Sequence, residues 1–327
     1  MVEIISFIKI QIVYSPHQLE LMNKKTEPFQ EDSYNRHSTW YINQFPEKEQ
    51  KIKLLNGIKS YKGTINHWLQ NQFFDCVKPI TQYKNASWLT VGDAYGHDAN
   101  YLIEKGVQNV IASDINDEFL AVSKEVGIVD KFSAENAENL SFDDNSVDYI
   151  LCKETYHHFP RPYAALYEMI RVAKKAIIII EPQDPILKMP LLMFMNNVLE
   201  KIKLGLINKI WKNRFSYEQV GNFVYKVSER EMEKFAAGLN LPMVAIKNFN
   251  PNFWFPGSEK IPAVKSEKRF RKILFQKAIR DFLSKLGIVP SQSMSIIIFK
   301  SLPEREIQES LTTNGYRLIE IPKNPYL

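Results

Sequence analysis

Five short strand-like runs, most of them apolar, recur through the middle of the chain, and helix-forming segments separate them. The runs are Ser87–Val91, Asn109–Ser113, Asp130–Ser133, Val147–Cys152 and Ala176–Glu181, the last with four consecutive isoleucines. Between them, Asp98–Lys105, Asp117–Val126 and Pro162–Lys174 carry helical spacing. Strands this rich in valine and isoleucine have no wet face. They belong to a parallel sheet covered by helices on both sides. Beyond Pro182 the pattern turns helical from about Ile186 to Asn240, with Ser228 and Glu231 at capping-box spacing. A strand follows at Met243–Asn248, then a basic helical run at Ser266–Leu286 and an apolar strand at Met294–Lys300 that can close the sheet.

At 327 residues the chain exceeds one average domain. Its reading is a helical amino-terminal extension (1–84), an α/β domain (85–300) with helical inserts at about 185–240 and 250–293, and a polar tail (301–327) that offers a helix and a short strand. The net charge of +5 is too small to imply nucleic acid and is compatible with an anionic substrate or surface. Cys76 and Cys152 are the only cysteines, which excludes a disulfide framework and suits a reducing, cytoplasmic setting. No run is long and apolar enough to span a bilayer, and the first residues lack the basic leader of a secretory signal. Met22 followed by Asn23 reads as an alternative start, which makes residues 1–21 dispensable.

The informative segment is Trp88-Leu-Thr-Val-Gly-Asp-Ala-Tyr-Gly-His-Asp98, a strand running straight into a turn with Gly92 and Gly96. Glycines there permit positive φ and close approach of a ligand to backbone. Asp114 ends the second strand, where a carboxylate can accept from both hydroxyls of a ribose. Asn136-Ala-Glu-Asn forms a polar loop before the fourth strand, where a side-chain amide could meet an adenine edge.

Together these residues resemble the class I S-adenosylmethionine-dependent methyltransferases, in particular the type 11 domain, over roughly Ser87 to Pro182. The resemblance implies a Rossmann-like α/β fold with a seven-stranded, mostly parallel sheet. It implies S-adenosylmethionine as cofactor, with Gly92, Asp93, Ala94 and Gly96 around its methionine part, Asp114 on the ribose and Ile115 against the adenine. Asn136 stands where the family usually has an adenine-pairing Asp, with the Ala137 backbone beside it. Cys152, Lys153 and Glu154 follow the fourth strand and border cofactor and acceptor. Two positions depart from the family: Thr90 occupies a commonly acidic place, and Ala94 replaces a glycine. Thr90 is then expected to position a water near the methionine amino group, with Asp93 as substitute carboxylate.

Methyl transfer from a sulfonium is an in-line displacement, so positioning supplies much of the catalysis. Lys153-Glu-Thr-Tyr-His-His-Phe159 gathers Glu154, Tyr156, His157 and His158 at the sheet edge where doubly wound folds bind ligands. A histidine there could take a proton from a hydroxyl acceptor, with His158 the first choice. The expected acceptor is a small molecule, a glycan or a lipid-linked compound. No metal-ligand spacing is evident. The basic inserts around Lys188, Lys201, Lys203, Lys209 and Lys212 and over 265–285 read as lids or as peripheral membrane contacts. Phe249, Phe253, Trp254 and Phe255 either line an acceptor pocket or pack the inserts together. A dinucleotide-dependent reductase is the competing enzyme, but its glycine fingerprint fails at Ala94 and His97. The other alternative is a non-catalytic cofactor- or partner-binding protein on a degenerate fold. Nucleic-acid methylation lacks a recognition module.

Overall fold

The computed structural model describes residues 28–185, 188–202 and 214–326. Lys203, Lys209, Lys212 and the alternative start at Met22 lie outside them. Three helices come first: α1 (Pro28–Gln44), α2 (Lys48–Ser60) and α3 (Ile65–Phe74). The α/β alternation follows as β1 (Ser87–Val91), α4 (His97–Glu104), β2 (Asn109–Asp114), α5 (Glu118–Glu125), β3 (Phe132–Ala134), β4 (Val147–Lys153), α6 (Pro162–Val172) and β5 (Ala173–Pro182). Then come α7 (Pro190–Ile202), α8 (Glu229–Gly238), β6 (Met243–Phe249), α9 (Lys268–Lys285), β7 (Ser293–Phe299), α10 (Arg305–Thr313) and β8 (Arg317–Glu320).

The strands form one sheet in the order β3-β2-β1-β4-β5-β7-β6-β8. The first five run parallel, and β7 enters antiparallel between β5 and β6. The sheet thus has eight strands where seven were expected. The extra one is β8, which pairs antiparallel with β6 through Met243–Glu320 to Ile246–Arg317. It is the short strand expected after a helix in the tail, and Arg-Leu-Ile-Glu carries as much apolar surface as an edge position with one neighbour needs.

Side-chain alternation divides the core in two. In β5, Ile178 and Ile180 face a layer containing Phe73, Phe74, Leu102 and Leu311, while Ile177 and Ile179 face one containing Leu166, Met169, Met232 and Phe235. Both faces are therefore dry, which is why the run shows no polar alternation. Ser228 caps α8, its side chain accepting from Glu231 N–H while Glu231 reaches back, as its spacing predicts. The expected helix over 186–240 is interrupted, because 214–227 forms turns pinned by a Tyr217–Phe223 bridge. Phe249 packs into the core against Phe73, Phe253 and Phe255 pack beside α3 and α9, and Trp254 faces solvent. No helix among the described residues is long and apolar enough to cross a membrane.

Candidate active site

A cleft opens at the carboxyl ends of the parallel strands. β1 supplies Val91 and Gly92, β2 supplies Asp114, Ile115 and Asn116, and the loop after β3 supplies Glu135 and Ala137. The segment after β4 supplies Glu154, Thr155, His158 and Phe159. This is the switch point of the sheet, where β1 has β2 on one side and β4 on the other, and crossovers diverge to leave a crevice.

Gly92 has φ of 71°, and a Cβ there would lie 2.0 Å from Thr155 Cγ2. Thr155 Oγ1 donates to the Gly92 carbonyl at 2.9 Å, so the glycine turn and the β4 loop are fitted together. Gly96 also has positive φ, but its missing side chain makes room for Val129 at the start of α4 rather than for a ligand. Asp93 is consumed within the protein: its carboxylate accepts from Thr90 Oγ1 at 2.9 Å and from the Asp98 and Ala99 N–H groups that open α4. Thr90 is fully buried. Ala94 lines a smaller hollow next to the cleft, with Phe119 and Asn116. Cys152 is fully buried, and Lys153 turns away from the cleft to an ion pair with Asp98 at 3.2 Å, bordering a second cavity with His97.

Asp114 and Glu154 are the two carboxylates at the ends of their strands. One oxygen of Asp114 accepts from the Asn116 N–H at 3.0 Å, and burial pushes the carboxyl up to about 6. Glu154 holds φ of 54°, a strained value outside glycine, and its buried Oε1 has no hydrogen-bond partner among the described residues. Burial, reinforced by Glu181, raises its carboxyl to about 7. Glu181, fully buried at the end of β5, organises this loop by accepting from the N–H groups of Thr155 and Tyr156 and pairing with His157 Nδ1. The sequence reading passed over it, since a glutamate closing an isoleucine run reads as a strand end.

The histidines part company here. His157 is held by Glu181, and although burial opposes its charge, that contact raises its pKa. Tyr156 is buried with its hydroxyl unpartnered, and neither residue lines the cleft. His158 does line it; burial lowers its pKa, and its Nδ1 lies 2.6 Å from Glu218 Oε1.

The roof of the cleft is α1, which brings Tyr34, His37, Ser38 and Tyr41 to one face. Tyr34 donates to Asn136 Oδ1 at 3.1 Å, Gln30 to Glu138, and Ser33 and Arg36 to Asn222. Asn136 thus spends its carbonyl on Tyr34 and on the Glu138 N–H, while Ala137 stays on the cleft wall. These roof residues were missed from sequence. Their spacing of three and four was the available signal, in a helix whose buried face is polar.

Residues 89–180 match the family model described as methyltransferase domain. No curated protein matches the chain. Among solved structures, the chain is similar to the YcgJ protein of Bacillus subtilis (20% identity over 70% of this chain and 99% of that one, TM-score 0.44). It is also similar to a SAM-dependent methyltransferase of Archaeoglobus fulgidus (16%, 73% and 96%, TM-score 0.44). A third is a SAM-dependent methyltransferase of Methanosarcina mazei (16%, 68% and 97%, TM-score 0.42). The matched segment runs from β1 to β5, the strands whose ends build the cleft, and over it the chain is similar to a methyltransferase domain.

Proposed function

We propose that the chain moves the methyl group of S-adenosylmethionine to a small-molecule, glycan or lipid-linked acceptor in the cytoplasm, at the cleft beneath α1. The observation that carries this reading is the pair of carboxylates at the ends of β2 and β4, the strands on either side of β1, one of them with a buried oxygen that has no partner among the described residues. Bound cofactor supplies an electrophilic methyl on a sulfonium. Asp114 suits the ribose hydroxyls and Ile115 and Ala137 the faces of the adenine, while Gly92 lets the backbone come close. Glu154, rather than Asp93, is the carboxylate free to meet the methionine ammonium. Enclosure by α1 excludes water and holds the acceptor in line, which is most of what displacement at a sulfonium requires. Of the expected proton acceptors only His158 borders the cleft without a buried partner holding it elsewhere, so acceptor chemistry is assigned to its end.

Calorimetric titration of the purified chain with S-adenosylmethionine and S-adenosylhomocysteine tests the reading. Asp114→Ala removes charge-assisted hydrogen bonds worth about 1.5–3 kcal/mol each, so affinity should fall about a hundredfold. Unchanged affinity in a folded variant would sink the ribose assignment. Both carboxylates must be ionised to bind, so affinity should rise between pH 5 and 8, and Glu154→Gln should remove the upper part of that rise. Fold stability moves oppositely. These two carboxyls lie above their ordinary range in the folded state, so their contribution is complete near pH 4 and is lost as pH climbs through 6 and 7.

A lipid-linked acceptor has a further observation behind it. α7 exposes Leu191, Phe194 and Val198, and α9 exposes Phe275, Ile279 and Phe282, each set along one stripe. The two helices approach where Gly287 packs against the Lys188 backbone. α9 carries seven lysines and arginines against one aspartate, which suits an anionic bilayer surface. Co-sedimentation with vesicles containing an anionic lipid should retain the chain. Phe275→Asp with Phe282→Asp should weaken it at least tenfold, since each ring contributes about 1.5–3 kcal/mol when buried. Equal binding of the double variant would remove lipid-linked compounds from the acceptor classes.

A further inference from the structure

Three potential ligand atoms converge at the roof of the cleft from parts of the chain far apart in sequence. His37 comes from α1, His158 from the turn after β4, and Glu218 from the 214–227 turn segment. Their ligating atoms all lie within 4.8 Å of one another. His37 Nε2 is 3.4 Å and His158 Nδ1 2.6 Å from the Glu218 carboxylate, and the two imidazole rings meet at 4.7 Å.

These contacts are not ordinary hydrogen bonds. His37 Nε2, His158 Nδ1 and Glu218 Oε2 are each buried, and among the described residues none has a partner in hydrogen-bonding geometry. Three buried lone-pair-bearing atoms pointing at one another without a shared proton in line is the arrangement a cation resolves. Ligand atoms about 2.0–2.2 Å from a zinc-sized ion stand roughly 3.3–4.4 Å apart, so the cluster needs only small side-chain rotations to close on one.

We infer that His37, His158 and Glu218 form a binding site for a first-row divalent cation of the zinc class, with two nitrogen ligands, one oxygen ligand and at least one position left open. This reverses the expectation of no metal, because ligands so distant in sequence leave no spacing signal. The ion would clasp α1 and the 214–227 segment over the cleft. Its open position would take an acceptor oxygen or nitrogen and lower the acceptor's pKa, with His158 as ligand rather than free base. This last role rests on the methyl-transfer reading; the ion site itself does not.

The test uses the full chain after chelator treatment, without cofactor. Zinc alone is titrated by calorimetry, and cobalt by its visible absorption. One ion per chain is expected, with a cobalt spectrum of low-coordinate nitrogen and oxygen ligation. His37→Ala and Glu218→Gln should each weaken binding about a hundredfold or more, exceeding the roughly 10–100-fold cost of losing an outer-shell partner. His67→Ala, away from the cluster, should bind as the parent does, and circular dichroism should show every variant folded. Substoichiometric uptake by the parent, or parent-like affinity in folded His37→Ala and Glu218→Gln, would overturn the site. Asp114→Ala should keep full zinc binding, so failure of the cofactor reading and failure of the ion site leave different signatures.

Discussion

Replacing Gly92 with alanine should abolish useful affinity for S-adenosylmethionine while most of the fold survives. At φ of 71° the turn already costs an alanine about 1–2 kcal/mol, close to a tenfold effect by itself. The added Cβ would also sit 2.0 Å from Thr155 Cγ2 and 2.7 Å from Thr155 Cβ, distances no real contact tolerates. Thr155 cannot simply swing away, because its hydroxyl donates to the Gly92 and Lys153 carbonyls and its N–H to Glu181. The turn must therefore move off the cleft wall, and affinity should fall more than about a hundredfold. The double variant with Thr155→Ala is the sharper measurement. It removes the nearest overlap but leaves the Cβ and the strained φ, so it should recover part of the affinity and not all. Full recovery would mean that the overlap alone, and not the backbone conformation, makes glycine necessary here.

The largest effect on stability is expected at Lys153. Its ammonium lies 3.2 Å from Asp98 and over the rings of Phe73 and Phe74, and both charged partners are nearly inaccessible. Burial lifts the Asp98 carboxyl to about 7 even with the lysine present, with Asp93 adding to the rise. Lys153→Ala strands that carboxyl, and breaking a buried pair on one side costs about 3–5 kcal/mol. The penalty should grow with pH, because Asp98 is protonated at pH 5 with or without the lysine, and only as pH climbs past 7 does the parent gain an ionised pair that the variant lacks. Chemical denaturation at the two pH values measures this. Adding Asp98→Asn should return much of the loss and flatten the pH dependence. A variant equally stable at both values would show that Asp98 finds another cation.

How much of this was legible follows from what each residue interacts with. The strands announced themselves because β5 is dry on both faces, and a run of isoleucines has no other soluble use. Asp114 and Gly92 reached the cleft because strand ends in a parallel sheet converge there whatever the rest of the chain does. Asp93 and Lys153 looked the same in sequence and went elsewhere, to the opening of α4 and to Asp98. Nothing in a linear pattern distinguishes a carboxylate that caps a helix from one that faces a ligand. The roof was illegible for a different reason. α1 is attached by amide, hydroxyl and guanidinium contacts to residues more than a hundred positions away, and hydrophobic periodicity reports none of them. Glu218 sits in a turn, where polar residues are the default.

The attachment of α1 also bears on how the protein is made. Its anchors are Asn136, Glu138 and Asn222, so on a ribosome the helix emerges long before the residues that hold it. Most helices awaiting partners expose an apolar stripe and invite misassociation during that interval. α1 exposes glutamine, serine, tyrosine and arginine, groups that water satisfies equally well until the turn segment arrives. A roof held largely by polar contacts is thus one whose docking face asks little shielding from water before the sheet beneath it is in place.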